Sequence, residues 1–159
     1  MPNSTEFNIG FIATEYLQDP SNIKWADILT HKTISSNITD SLIKKAEPIK
    51  EYLNTVNKEM IDQMGYEFTL DGYKCIMYNG RGNSTTFGEL IDKYDICAMF
   101  YFNGERYFYS LYSKTVDTSV ISKRMCGGGH PGASGFSNRK LLFTKGSNFN
   151  SEGDGNDSF

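Results

Sequence analysis

Long apolar runs are absent from this 159-residue sequence, and their absence argues against a membrane-spanning helix. No stretch approaches eighteen consecutive apolar residues. The first residues, 1–6, also lack the basic start and the apolar run of a signal peptide. We therefore expect a soluble, cytoplasmic protein that has no membrane partner.

Cysteine and histidine are also scarce. The three cysteines, Cys75, Cys97 and Cys126, are odd in number and widely spaced, which fits neither a disulfide framework nor a zinc motif. The two histidines are His31 and His130, and His31 has no carboxylate beside it. A two-metal hydrolytic centre needs several clustered carboxylates and imidazoles. We therefore expect no catalytic residue, no metal and no other cofactor in this chain.

Aromatic residues are abundant instead, at 14% of the chain, with ten Tyr and eleven Phe. Together with the length, this favours one folded domain with a substantial core and a helical appendage. The net charge of −3 comes from the end of the chain, because residues 1–145 are neutral. Residues 105–140 carry six basic and two acidic side chains. Such a region attracts phosphates, and a solvated surface is the alternative interpretation.

The first part of the sequence has helical patterns. Apolar residues at helical spacing predict a long helix from about 40–64, which Pro48 either kinks or divides and which Gly65 ends. A shorter helix is predicted over 23–29. We interpret residues 1–65 as a helical connector or docking region.

After Gly65 the pattern changes to short aromatic and β-branched runs, which predict strands. Two hairpins with type I′ turns are expected, at Asp71-Gly72 and at Asn103-Gly104. A helix is expected over 84–93, and Asp117 is expected to cap another that ends near Met125. Closing strands are predicted at Phe136 and at Leu141-Leu142-Phe143.

These elements predict an α/β (α+β) fold: a mixed β-sheet of about five strands with flanking helices. The sheet domain is expected over residues 66–145. Residues 146–159 are rich in Gly, Ser, Asn and Asp, which predicts a disordered acidic tail.

The densest chemical signal is the run Gly127-Gly128-Gly129-His130. Residues 126–135 hold five of the fifteen glycines and one of the two histidines. Glycine lacks Cβ and presents bare N–H groups, so we expect this run to meet phosphate oxygens. A helix cap followed by a turn is the alternative. A second loop, Gly80-Arg81-Gly82-Asn83-Ser84, is either an anion site before a helix or a plain connector.

The neighbours of the glycine run have a recognisable order. A serine-containing strand, Ser110–Ser113, is followed by the helix start Asp117-Thr118-Ser119, and the run itself is followed by small residues and Phe136. In this order and spacing the chain resembles the DHHA1 domain of DHH-family phosphoesterases, over about Tyr66–Phe143. That family includes oligoribonucleases that degrade nanoRNA and enzymes that hydrolyse cyclic dinucleotides.

The resemblance implies that this domain holds substrate, while a separate domain with an Asp-His-His motif binds manganese or magnesium and cuts it. This chain has no such triplet. Tyr112 stands where the family commonly has arginine, and it either stacks on a base or packs in the core. The residues expected to bind a nucleotide or its phosphate are Gly127, Gly128, Gly129, His130, Ser110, Tyr112, Ser113, Ser134, Arg124 and Lys114.

Three functions fit these features. The first is a non-catalytic module that binds a nucleotide, a cyclic dinucleotide or a short oligonucleotide. Such a module acts as half of a split phosphoesterase, docked on a separately encoded DHH catalytic domain, or it sequesters a nucleotide, with self-association as an option. The second is a phosphodiesterase that is active on its own. The third is a structural or interaction protein that has lost its ligand.

Overall fold

The structure is a computed structural model that describes residues 36–153. The helices in this range are α1 (Ser36–Met64) and α2 (Thr118–Arg124), with a 3₁₀ segment at Ser84–Asp92. The strands are β1 (Tyr66–Leu70), β2 (Tyr73–Asn79), β3 (Ile96–Phe102), β4 (Tyr107–Tyr112), β5 (Gly128–His130), β6 (Ala133–Asn138) and β7 (Asn148–Phe149). The helix predicted over 23–29 lies outside the described residues. None of the helices within 36–153 is long and apolar enough to cross a membrane.

All these strands form one mixed sheet in the order β5-β6-β4-β3-β2-β1-β7. Pairing is antiparallel except between β2 and β3 and between β1 and β7, which run parallel. The predicted α+β fold, with a mixed sheet and flanking helices, is therefore confirmed. The sheet has more strands than the five expected, because β5 forms from the glycine run and β7 from the predicted tail.

Helix α1 ends where the sequence predicts. The backbone N–H of Gly65 donates to the carbonyl oxygen of Ile61 at 2.7 Å, and a Cβ at Gly65 would lie 2.4 Å from that oxygen. Pro48 lies inside this single helix. Two compact units of the chain divide between Thr55 and Val56, which is earlier than the predicted boundary at residue 65. The last turns of α1 belong with the sheet because Ile61 is buried in its core.

The first hairpin forms as predicted. Leu70 pairs with Tyr73, and the two residues between them, Asp71 and Gly72, have φ angles of 52° and 82°. Both therefore take the left-handed conformation that a type I′ turn requires.

The second hairpin has a wider loop than predicted, so the type I′ turn at Asn103-Gly104 is wrong. The strands close at the pair Phe102 and Tyr107. The side-chain Oδ1 of Asn103 accepts hydrogen bonds from the backbone N–H groups of Glu105 and Arg106, at 3.0 and 2.9 Å. This side-chain turn replaces the two-residue backbone turn.

The two faces of the sheet are covered by different elements. On the first face, α2 and the segment 142–149 pack over a core of strand residues. The buried residues of this core include Phe68, Leu70, Met77, Ala98, Phe100, Tyr109, Leu111, Ile121, Phe136, Phe143 and Phe149. On the second face lies a smaller core. It contains Ile61, Ile76, Tyr78, Phe87, Cys97 and Met99, and we refer to it as the second-face core.

The predicted closing strand at Leu141–Phe143 is an irregular segment in the structure. It is nevertheless fixed, because the Phe143 ring is fully buried and the N–H of Leu142 donates to the Tyr109 hydroxyl at 2.9 Å. Burial raises the pKa of that Tyr109 hydroxyl well above its usual range.

The predicted disorder of the tail is wrong for residues 146–153. Phe149 is buried and its ring meets that of Phe143 edge-on at 5.0 Å, while β7 pairs with β1. The N–H and the hydroxyl of Ser151 both donate to the Asp71 carboxylate, at 2.7 and 2.6 Å. One buried ring and these hydrogen bonds offset a composition that is otherwise typical of disorder. Residues 154–159 lie outside the described part of the chain.

We expect Phe149→Ala to lower the free energy of unfolding by about 3 kcal/mol, because it removes a buried ring. Phe102→Ala is the matched control: that ring is 51% exposed, so we expect a loss of only about 1 kcal/mol. Denaturant-induced unfolding measures both. Equal losses for the two variants would contradict the docking of the C-terminal segment.

The cysteines differ in accessibility. Cys75 and Cys97 are fully buried, and burial raises the pKa of each thiol to about 12, whereas Cys126 is exposed. At pH 8 we expect an aromatic disulfide reagent to titrate one thiol in the native protein and three after unfolding. Cys126→Ser should leave no fast-reacting thiol. Rapid labelling of a second thiol in the native state would contradict the burial of β2 and β3.

Candidate functional site

The helix before the glycine run is closed at both ends. At its start, the Asp117 carboxylate accepts from the N–H and the hydroxyl of Ser119, at 3.0 and 2.6 Å, and the hydroxyl bond in particular lowers the pKa of Asp117. At its end, Cys126 takes a left-handed φ of 59° and the N–H of Gly127 donates to the Ser122 carbonyl at 2.7 Å. The N–H of Gly127 therefore closes the helix and is not free for a phosphate.

The rest of the glycine run is a strand, not the loop that the sequence suggested. Gly128, Gly129 and His130 form β5, which pairs with β6 across a two-residue turn at Pro131-Gly132. In the described part of the chain, β5 is the terminal strand of the sheet on this side. A terminal strand pairs along one side only, so it presents backbone groups on the other.

The three glycines of the run differ in how much room the structure leaves for a side chain. A Cβ at Gly127 would lie 2.1 Å from the carbonyl oxygen of Gly135, and a Cβ at Gly129 would lie 2.5 Å from the Cα of Ser134. Gly129 also has a φ of 140°, which disfavours a side chain. A Cβ at Gly128 would meet nothing within 4 Å. Packing therefore explains Gly127 and Gly129 but leaves Gly128 unexplained.

Strand pairing places several of the predicted residues on one face. Residues directly opposite each other in neighbouring strands share a face. His130 pairs with Ala133, and Ala133 pairs in turn with Tyr112. Tyr112 also pairs with Cys97, which belongs to the second-face core. His130 and Tyr112 therefore lie on the second face of the sheet.

The next row along the same strands lies on the same face, because side chains alternate with a period of two. It consists of Gly128, Gly135 and Ser110. The strand rise puts this row about 6.7 Å from the row of His130.

This part of the second face is open within the residues that the structure describes. The end of α1 and the 3₁₀ segment pack over β2 and β3. Beyond them His130 and Ala133 are exposed, while Gly128, Gly135 and Ser110 are half-buried. We refer to this surface as the open face: Phe108, Ser110 and Tyr112 of β4, Ala133, Gly135 and Ser137 of β6, and Gly128 and His130 of β5.

Two of the predicted serines lie elsewhere. Ser134 is buried on the first face, where its Oγ lies 2.7 Å from the Ser122 hydroxyl and donates to the Thr118 hydroxyl at 2.8 Å. Ser113 is buried beside the sheet, and its Oγ accepts from the N–H of Val116 at 2.9 Å. Both hydroxyls tie α2 and its entry loop to the strands.

The two predicted cations are also engaged away from the open face. The guanidinium of Arg124 lies 3.2 Å from the Asp71 carboxylate and 2.8 Å from the Glu152 carboxylate, so it holds the C-terminal segment. Lys114 is exposed and pairs with Asp92 at 2.5 Å. A cavity of about 470 Å³ has Arg124, Asp71 and Glu152 in its lining and is not part of the open face.

Two other arginines border the open face, and the sequence did not single out their role. The guanidinium of Arg81 lies 4.0 Å over the ring of Tyr101, and that ring stacks on Phe108 at 5.1 Å and an angle of 10°. Arg106 donates from Nε to the Ser137 hydroxyl at 3.1 Å. In the second hairpin, the alternation of side chains puts Tyr101 and Phe108 on the same face as Tyr112. This alternation is the signal that could have identified the two rings from the sequence.

The second glycine loop is a tight connector. A Cβ at Gly80 would lie 2.1 Å from the Tyr78 ring, and a Cβ at Gly82 would lie 2.2 Å from the Thr86 hydroxyl. The Asn83 side chain accepts from the N–H of Thr85 and so caps the 3₁₀ segment itself. The loop therefore fixes the backbone of Arg81 between two packed glycines.

No protein-family model and no curated protein matches the chain. Among solved structures it is similar to a pGpG-specific phosphodiesterase, PggH, from Vibrio cholerae, with a TM-score of 0.48 and 16% identity over 71% of this chain and 42% of that one. It is also similar to an uncharacterized protein from Helicobacter pylori G27, with a TM-score of 0.37 and 14% identity over 88% of this chain and 41% of that one. The chain thus spans less than half the length of either protein. Both TM-scores lie below 0.5, so neither similarity determines the fold or the function.

The described residues contain no group of three or more His, Cys, Asp or Glu side chains placed to hold a metal ion. The open face presents an exposed imidazole, hydroxyls, aromatic rings and an uncovered backbone at Gly128. Phosphate esters with a planar ring fit this set of groups.

Substitution by alanine separates the three glycines. We expect Gly127→Ala and Gly129→Ala each to lower the free energy of unfolding by at least about 2 kcal/mol, because the new methyl group overlaps the β6 backbone. We expect Gly128→Ala to stay within about 1 kcal/mol of the wild type. Denaturant-induced unfolding measures all three variants. A loss at Gly128 as large as at its neighbours would contradict the free space described here.

Proposed function

We propose that this chain binds the phosphate of a nucleotide or short oligonucleotide on the open face, at Gly128 and His130. The observation that carries the proposal is the contrast within the glycine run. Gly128 has room for a side chain and yet has none, whereas packing accounts for both neighbours. A backbone without a side chain is what the close approach of a phosphate requires.

His130 supports this position for the phosphate. It lies two residues from Gly128 on the same strand and face, and its side chain is exposed. An imidazole N–H donates to phosphate oxygens, and hydrogen bonds to charged groups contribute about 1.5–3 kcal/mol.

Ser110 and Tyr112 do not contact the phosphate in this proposal. Each lies two strands away from β5, which is about 9.5 Å, too far for one phosphate to bridge. Between them and β5 lie only Gly135 and Ala133, which form a flat floor. The ligand therefore extends from the phosphate across β6, with its sugar towards the Ser110 hydroxyl.

Cleavage of the ligand is not part of the proposed role. Following the resemblance described above, we assign hydrolysis and its divalent metal to a separately encoded catalytic domain, for which this chain supplies the binding surface. Expression with such a domain would test that assignment by restoring phosphodiesterase activity.

Titration calorimetry with ribose 5-phosphate and adenosine 5′-monophosphate tests the binding itself. We expect wild type to bind both, and Gly128→Ala and His130→Ala each to weaken binding at least about tenfold. Gly153→Ala is the matched control, since it also adds a methyl group in open space but far from this strand in the chain.

The possible outcomes distinguish a wrong site assignment from a wrong function. If Gly128→Ala and His130→Ala bind as tightly as wild type, the assignment of the phosphate to β5 is wrong. If wild type binds no mono-, di- or cyclic nucleotide in a wider screen, nucleotide binding is wrong.

A further inference from the structure

A row of planar side chains crosses the open face beyond the proposed phosphate position. Tyr101 of β3 pairs with Phe108 of β4, which pairs with Ser137 of β6. The Arg81 guanidinium lies over the Tyr101 ring, and the Tyr101 and Phe108 rings are stacked nearly parallel. From β3 to β6, the row therefore consists of a guanidinium group, two aromatic rings and a small hydroxyl group.

This row is held in place before any ligand arrives. The backbone of Arg81 is fixed by its flanking glycines and by the Tyr78 hydroxyl, which donates to the Arg81 carbonyl at 3.0 Å. A cation over an aromatic ring adds about 0.5–1 kcal/mol at an exposed site. The stack is thus preorganised up to the ring of Phe108.

The stack ends at Phe108. Among the described residues, Tyr101 is its one aromatic neighbour. On the β6 side it meets Ser137, whose side chain contributes no ring. The Phe108 ring is half-buried and so retains accessible surface. The position above Ser137 is therefore where one more planar group would extend the stack.

Positive charge borders this position. Arg106 donates from Nε to the Ser137 hydroxyl and from Nη2 to its carbonyl, at 3.1 and 3.4 Å. Within residues 36–153 neither Arg106 nor Arg81 forms an ion pair with a carboxylate, unlike Arg124 and Lys114. An arginine without a carboxylate partner offers hydrogen bonds and charge to an electron-rich ring.

We infer that Phe108 is a stacking platform for a nucleobase, which lies over Ser137 with the Arg106 guanidinium at its edge. The inference rests on the proposed phosphate position at Gly128. The row of Ser137 lies one step, about 6.7 Å, from the row of Gly128 and Gly135. In a nucleotide, the ribose joins the phosphate to the base, and it spans a distance of this size between the two rows.

Tyr112, for which the sequence left stacking and core packing open, packs against another ring. Its ring lies 6.1 Å from that of Phe87, and it packs against the second-face core. The Tyr112 ring therefore already packs against the core at one edge of the open face, whereas Phe108 is not part of that core. The structure thus favours Phe108 over Tyr112 as the platform.

A comparison of two probes tests the platform. Adenosine 5′-monophosphate carries a base and ribose 5-phosphate does not. We expect Phe108→Leu to weaken binding of the nucleotide about tenfold and to leave binding of ribose 5-phosphate within twofold. Phe102→Leu is the control, because Phe102 is exposed on the opposite face and should change neither.

Proton NMR of the bound nucleotide gives a readout that a purely structural role would not move. Stacking on Phe108 shifts the base-proton resonances upfield in wild type and in Phe102→Leu, and this shift should be lost in Phe108→Leu. Equal nucleotide affinity and equal shifts in Phe108→Leu would overturn the stacking assignment while Gly128-dependent phosphate binding still holds. Loss of both probes in Phe108→Leu, with an altered thermal melt, would also overturn it, because the residue would then be structural. Failure of wild type to bind either probe or any nucleotide of the wider screen would overturn this inference together with the proposed function.

Discussion

The close contact between β5 and β6 is the constraint on which the open face depends. The backbone of β6 approaches Gly127 and Gly129 so closely that neither position has room for a side chain. This contact makes the glycine run a terminal strand and fixes its register with β6. Because pairing sets which way each residue points, Gly128 and His130 are placed on the second face without help from a ligand.

The two faces of the sheet are covered unequally, and this determines which of the residues placed by the register remain accessible. The first face is closed by α2 and the segment 142–149, so polar groups there, such as Ser134 and Arg124, are used to hold elements together. In the part of the chain described, the second face is covered over β2, β3 and the Tyr112 end of β4. The same kinds of side chain are left accessible over β4, β6 and β5.

Much of the frame was predictable because its signals are local. The Asp71-Gly72 turn, the Asp117 cap and the end of α1 at Gly65 each depend on a few adjacent residues. Predictions failed where distant contacts decide. The Asn103 side chain widened a turn, and the polar segment 146–153 docks because Phe149 is buried against residues distant in sequence.

The sequence alone determined that a glycine-histidine run follows a capped helix in a chain of mixed helices and strands, because propensity, capping and alternation act over short distances. Only the tertiary structure decided which residues of that run are free. Pairing across three strands put Gly128, His130 and Ser110 on one surface, moved Ser134 to the other, and brought Arg81 over Tyr101. These juxtapositions join residues that are far apart in the chain, and they depend on register and packing, which no local pattern encodes.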